Sequence, residues 1–295
     1  MRIVFALFLM MVSLPALPEA GMISFDAPPG PIGGQGHWYA LRTMKGVDYW
    51  EDPAVISDVR ENEDGTYSVS GEPPIAVAIV LHPEWYPDNE PWRRAIDWVR
   101  QAEQMFRNSG VSLRFIINHI EVWNGMPDTK EGAFRKISSP SYAKYGADML
   151  IVLMPHYSFD PNCGIASLGR VNYYGGVITS VSGCNPETLA HELGHNFGLQ
   201  HDFSTSESNR GYCITGESGG YESCIEGTLM SYSRNTRPFF SNPDYTYRGK
   251  PLGDETANAV EWLNRVKAGR ALAYELDQQR SVAPGFNVNS EYVID

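Results

Sequence analysis

Beyond its first twenty residues the chain lacks any apolar run long enough to cross a bilayer, so no membrane anchor is read from it. It also lacks an excess of positive charge. The 23 Lys and Arg stand against 35 Asp and Glu, a formal net charge of -12 that repels phosphate backbones and excludes a nucleic-acid partner. Cysteine is scarce, four in 295 residues, and no two are spaced Cys-x-x-Cys, so a thiolate zinc site is not expected. No Asp-x-Asp-x-Asp stretch offers the ligands of a calcium loop, and there is no internal repeat or low-complexity tract. Hydrophobic residues nevertheless make up 42% of the chain and aromatics 12%, enough for one large packed domain with a leading segment.

The first twenty residues stand apart. Met1 to Ala20 carries one basic residue, Arg2, an apolar stretch from Ile3 to Leu14, and small residues at Ala16 and Ala20, which is the pattern of a secretory signal peptide. The mature chain is therefore expected outside the cytoplasm, extracellular or periplasmic. In that compartment the even cysteine count implies two disulfides. Three pairings of Cys163, Cys184, Cys213 and Cys224 are possible; nearness in sequence favours Cys163 with Cys184 and Cys213 with Cys224, each bracing a loop beside a His-rich stretch.

Composition changes near residue 75. Residues 21–74 are rich in Gly and Pro, with a hairpin signal at Asp64-Gly65, and read as a pro-segment or loosely packed N-terminal extension. This segment contains no Cys, so it has no thiolate with which to block a metal. Regular elements then follow: a buried strand over Ile75 to Leu81, and a helix from Glu90 to Phe106 with Trp92, Ile96, Val99, Ala102 and Phe106 at helical spacing, closed by Gly110. Strands are predicted over Val111 to Val122, Ala147 to Met154, Ile165 to Tyr174 and Val177 to Val181, the last two joined by a turn at Gly175-Gly176. The order implies an α/β or α+β layer, helices on a mixed sheet, within a domain spanning residues 75–276 and followed by a tail over 277–295.

The informative stretch runs from His191 to Asp202, His-Glu-Leu-Gly-His-Asn-Phe-Gly-Leu-Gln-His-Asp. On a helix, His191 and His195 are one turn apart and point the same way, so both imidazoles can reach one ion, with Glu192 beside it as a general base. A third ligand six residues later cannot share that face. The helix must end, and Gly198 is the residue suited to the left-handed conformation that would bring His201 back beneath the ion. Three imidazoles leave a position for water, the arrangement of a catalytic site rather than of a structural one. The other histidines, His37, His82, His119 and His156, have no such spacing.

This stretch matches the metzincin pattern His-Glu-x-x-His-x-x-Gly-x-x-His, and Asp202 after the third His resembles the adamalysin/reprolysin branch. Thr228-Leu229-Met230-Ser231-Tyr232 resembles the Met-containing turn of that family, with Met230 packing under the metal. Phe239-Phe240-Ser241-Asn242-Pro243, then Leu252-Gly253 and a helix from Glu255 to Leu276, resemble bacterial reprolysin-like peptidases; the resemblance covers Ile75 to Leu276.

The resemblance implies a metzincin-like zincin fold: a twisted, mixed five-stranded sheet with long helices, an active-site helix ending at a Gly turn, and the Met-turn below a zinc ion. It implies a secreted, monomeric zinc metalloendopeptidase acting on proteins or peptides. Zinc would lower the pKa of a bound water far below its bulk value, towards about 7, and Glu192 would take the proton and later pass it to the departing amine. Tyr232 resembles a tyrosine that in related families approaches the metal and donates to the developing oxyanion, whereas Asp202 is expected to bond nearby backbone. An extended peptide would pair with an edge strand, for which Gly164 to Val171 is the candidate. Arg234 and Arg237 lie in the segment from Met230 to Asn242 that would wall the next side-chain pocket, and either one pointing inward would favour an acidic residue there. The competing reading is a catalytically silent zinc-binding interaction protein on the same fold, which would have no use for Glu192.

Overall fold

The apolar run at Ile75 needs two buried faces, and the architecture supplies both. In the computed structural model the described residues are 25–26, 36–39, 60–64, 66–68, 71–85, 91–136, 147–155, 163–169, 177–182, 185–202, 208–272 and 292–294. In chain order they form β1 (Phe25–Asp26), β2 (Gly36–Tyr39), β3 (Arg60–Glu61), β4 (Tyr67–Ser68), β5 (Pro74–Leu81), α1 (Pro91–Asn108), β6 (Arg114–Trp123), α2 (Lys130–Lys136), β7 (Met149–Met154), β8 (Gly164–Ser167) and β9 (Val177–Ser182). There follow α3 (Pro186–Asn196), β10 (Cys213–Gly216), β11 (Cys224–Gly227), β12 (Asn235–Thr236), β13 (Asn242–Tyr247), β14 (Lys250–Leu252), α4 (Ala259–Arg270) and β15 (Tyr292–Ile294).

The main sheet has the order β1-β2-β6-β5-β7-β9-β8-β15. Its centre is parallel, β6 and β7 flanking β5 and β9 following β7, while β8 pairs antiparallel with β9. The five strands from β6 to β8 are the mixed sheet implied by the sequence. Three more are added from segments the sequence set outside the domain: β1 and β2 extend the far edge beyond β6, and β15 lies on β8. These additions left no sequence signal, because each is a short strand held through its backbone. The signal-peptide segment and the Gly175-Gly176 turn lie outside the described residues.

Alternation in β5 sends Ile75, Val77, Ile79 and Leu81 into the larger core, shared with α1, α3 and α4. Ala78 and Val80 enter a second core with Leu150, Val152, Met154, Ile165, Trp123 and Ala133 of α2. Burial on both faces is why the sequence shows no polar alternation there. On α1, Trp92, Ile96, Val99, Ala102 and Phe106 face the sheet, and Gly110 ends the helix region at φ 97°. The Glu103 carboxylate accepts from the backbone N–H of Phe115 at 2.7 Å and from Arg100 at 2.9 Å, pinning α1 to β6. Phe106 stacks within 4.5 Å of Phe240 and 5.5 Å of Phe197, ring centroid to centroid, so this helix also supports the segments that carry the His-rich stretch.

β3 and β4 form the hairpin foreseen at Asp64, whose Oδ1 accepts from Thr66 N at 3.0 Å and from its hydroxyl at 2.6 Å. The last helix begins at Ala259 rather than at Glu255. Asp254 accepts from Thr256 N and closes a turn with Ala257, so Asn258 becomes the cap, its side chain accepting from Glu261 N at 3.2 Å. No helix among the described residues is long and apolar enough to cross a membrane.

Candidate metal centre

Helix α3 carries the site, and both of its ends are specified locally. Asn185 caps the start, its side chain accepting from Thr188 N at 2.8 Å, with Pro186 in the first turn. At the other end Gly198 takes φ 92°; its N–H donates to His195 O at 2.8 Å and Leu199 N–H donates to Gly194 O at 3.0 Å, the paired bonds of a Schellman termination. A side chain at 198 is excluded twice, by that dihedral and because its Cβ would lie 2.7 Å from Gly169 O. Trp262 Nε1 donates to Phe197 O at 2.8 Å and Asn209 Nδ2 to Gly198 O at 2.6 Å, so the carbonyls freed by the helix end are satisfied by α4 and by the returning loop. The Gln200 N–H donates to Asn209 O and the Gln200 carbonyl accepts from Gly211 N–H, which aims the next residue, His201, back at the helix.

The three histidines converge. His191 Nε2 is 3.2 Å from His195 Nε2 and 3.3 Å from His201 Nε2, and the last two are 3.1 Å apart. Ligands about 2.0–2.1 Å from one tetrahedral ion sit roughly 3.3 Å from each other, so the donor set fits a metal such as zinc. Hydrogen bonding agrees. His195 Nδ1 lies 2.8 Å from Leu199 O and His191 Nδ1 lies 2.5 Å from Leu229 O. A carbonyl can only accept, so both protons are on Nδ1 and both Nε2 lone pairs face the shared centre. His195 and His201 are buried and His191 is half-buried.

Glu192 is 0% exposed and rests on β8, where a Cβ built on Gly164 would fall 1.9 Å from its Oε1. The strand is tied to the helix by two more bonds, Asn196 Nδ2 to Ser167 O at 2.8 Å and Gly169 N to His195 O at 2.8 Å. β8 ends at Ser167, and residues 170–174 of the strand expected to reach Tyr174 lie outside the described residues. Gly169, Asn196 and Asn209 were not singled out in the sequence, and Gly164 entered only as the start of the candidate edge strand.

Met230 is fully buried under α3, its Sδ 2.6 Å from where a Cβ on Gly194 would stand, so Gly194 gives the methionine its place. The turn is closed by Ser231 N to Thr228 O at 3.0 Å, and Thr228 Oγ1 accepts from Tyr212 N. Asp202 is buried and accepts from Tyr232 N at 3.1 Å, joining the third histidine's segment to this turn. The Tyr232 ring lies against His201, centroids 4.3 Å apart, and is covered in turn by Tyr221, 5.2 Å away and 60% exposed.

Cys213 and Cys224 are bonded, closing the β10–β11 hairpin that carries Tyr221. Cys163 is also in a disulfide; Cys184, its expected partner, lies outside the described residues. The two arginines of the Met230 to Asn242 segment each have local partners. Arg237 pairs with Glu226 and stacks over Tyr247, its guanidinium 5.3 Å from the ring centroid. That hydrogen bond holds the Glu226 carboxyl below its ordinary value of 4.5, so the pair's contribution is complete above that pH and fades as pH falls through the lowered value. Arg234 donates to the carbonyls of Tyr221 and Glu222, at 3.1 Å and 3.0 Å.

The model of the reprolysin group of metallo-peptidase family M12 matches residues 86–245, more than half of the chain. A peptidyl-Asp metalloendopeptidase of Pseudomonas aeruginosa is 27% identical over an alignment covering 58% of this chain and 35% of that protein. The chain thus spans about a third of the length of this relative. Among solved structures, a chaperone–substrate complex aligns with a TM-score of 0.56 at 21% identity over 73% of this chain and 37% of that one, a likeness of fold. Metalloproteinase-II of Bacteroides fragilis aligns with a TM-score of 0.34 at 18% identity, over 56% of this chain and 49% of that one.

Proposed function

Because the chain belongs to metallo-peptidase family M12, we propose that it is an exported zinc metalloendopeptidase, with His191, His195 and His201 as metal ligands and Glu192 as the general base and acid. The observation that carries the reading is the cluster of three Nε2 atoms 3.1–3.3 Å apart, two of them turned inward by backbone carbonyls. A zinc ion held there supplies an acidified water and a Lewis acid for the peptide carbonyl.

The chain's own residues do the rest. Glu192, on the same helical turn as His191, receives the water proton on its carboxylate and returns it to the leaving amine. Burial against Gly164 keeps that carboxylate from swinging into solvent. Asp202 fixes the backbone of Tyr232, and the stacked Tyr232 shields one side of His201; its hydroxyl is the candidate donor to the oxyanion. Met230 sets the floor of the site by packing. Residues 75–276 form the catalytic unit in this reading, the substrates are proteins or peptides, and the protein acts as a monomer. Export rests on the signal-like segment Met1 to Ala20 and on the Cys213–Cys224 bond, which persists in an oxidising compartment.

A catalytically silent metal-binding protein is the alternative, and it leaves the placement of Glu192 without a purpose. Casein hydrolysis by the processed protein separates the two. We expect activity that a chelator abolishes and added zinc restores, and a loss of about 10²–10⁴-fold in Glu192→Gln with metal content unchanged. Wild-type protein that binds zinc stoichiometrically yet cleaves neither casein nor a peptide library would establish the silent reading. The same library would show whether an aspartyl preference, named for the Pseudomonas relative, extends to this chain.

A further inference from the structure

Strand β8 is coupled to the metal centre through Glu192 on Gly164, Asn196 on Ser167 and Gly169 on His195. One side of β8 pairs with β9. Its other side is taken by the chain itself. β15 runs antiparallel along it, with Tyr292 opposite Ser167, Val293 opposite Ala166 and Ile294 opposite Ile165, so the added strand advances towards Gly164 and the carboxylate resting there.

A strand offers one row of N–H and C=O groups on each side, and each row accepts one partner. With β9 on one side, a peptide aligned on β8 and the segment 292–294 require the same row. We propose that residues 292–294 are a built-in competitor of the substrate: a pseudo-substrate strand that must leave β8 before an extended peptide can pair with it and reach Glu192. The proposal rests on the peptidase reading above. Three paired residues make a short ladder, so the segment is displaceable, and its tether gives it a high effective concentration at the edge it covers.

Two altered chains test this, one ending at Asn289 and one of full length carrying Val293→Pro and Ile294→Pro. Consecutive strand residues direct their N–H groups to opposite sides, so the two prolines remove at least one amide aimed at β8. In both, KM for an unstructured fluorogenic peptide should fall about 10-fold with kcat unchanged, the signature of a lifted competing equilibrium. Hydrogen exchange at the backbone of residues 165–167 should accelerate, and a synthetic peptide of residues 288–295 added to the shortened chain should restore the higher KM. Unchanged KM in both chains overturns the proposal, whether or not exchange changes. If no chain cleaves any peptide, the peptidase reading fails by itself. Exchange at 165–167 and anisotropy of the labelled 288–295 peptide with the shortened chain then still decide the tail, and no change with no binding sinks it.

Discussion

The two halves of the molecule are held together by different means. From β5 to β7 the fold rests on apolar area: β5, β6 and β7 bury side chains on both faces, and α1 covers one of them with two tryptophans and a phenylalanine. From Gly198 to Asn258 the chain is mostly turns and short ladders, positioned by individual bonds such as Asn209 to Gly198 O, Thr228 to Tyr212 and Asp202 to Tyr232, and by the Cys213–Cys224 bridge. Burial is spread over many atoms and degrades gradually, whereas a single directional bond is either made or lost. The first half should therefore govern whether the protein is folded, and the second whether the three imidazoles meet.

Variants can break or sharpen that contrast. Phe106→Ala removes the ring shared by Phe115, Phe197 and Phe240 and should cost about 3–5 kcal/mol in chemical denaturation, while metal affinity of the surviving folded fraction stays unchanged. A parallel fall in affinity would mean the halves are not separable. Replacing both Cys213 and Cys224 by Ser opens a loop with a sequence separation of 11 and should cost about 3 kcal/mol, with exposure of the Tyr221 hairpin to limited proteolysis as the readout. Gly198→Ala should cost less in stability, about 1–3 kcal/mol from the left-handed backbone, yet lower metal affinity about 10–100-fold by competitive chelation, because the strained turn displaces His201. Asn185→Ala, at the helix end remote from the histidines, should cost about 1 kcal/mol and leave metal binding alone. An affinity loss there equal to that of Gly198→Ala would show that α3 moves as one body.

The first half was legible because its signals are repetitive. Continuous apolar residues over Ile75 to Leu81 and helical spacing from Trp92 to Phe106 each repeat one instruction many times, and the elements fall within a few residues of expectation. The site was legible for a different reason: His191, Glu192, His195, Gly198 and His201 are spaced by helix geometry and one obligatory turn, and they are adjacent in sequence. What failed to show were features set by distant partners. Nothing near Arg237 announces that Glu226 will hold it, and nothing in Tyr292 to Ile294 marks β8 as its neighbour. Just past β8, Gly169 N bonds His195 O across 26 positions of sequence, a bond no local pattern encodes, while the rest of the strand predicted to Tyr174 lies outside the described residues.

The close seat of Glu192 on Gly164 would couple the proposed proton carrier to the mechanics of the sheet. With no methyl group between them, the carboxylate sits directly on the strand backbone, so a shift of β8 would bear on the oxygen atoms that would carry the proton. Loading the strand edge, whether with a foreign peptide or with the chain's own end, would therefore act on the seat of that carboxylate as well as on access to it.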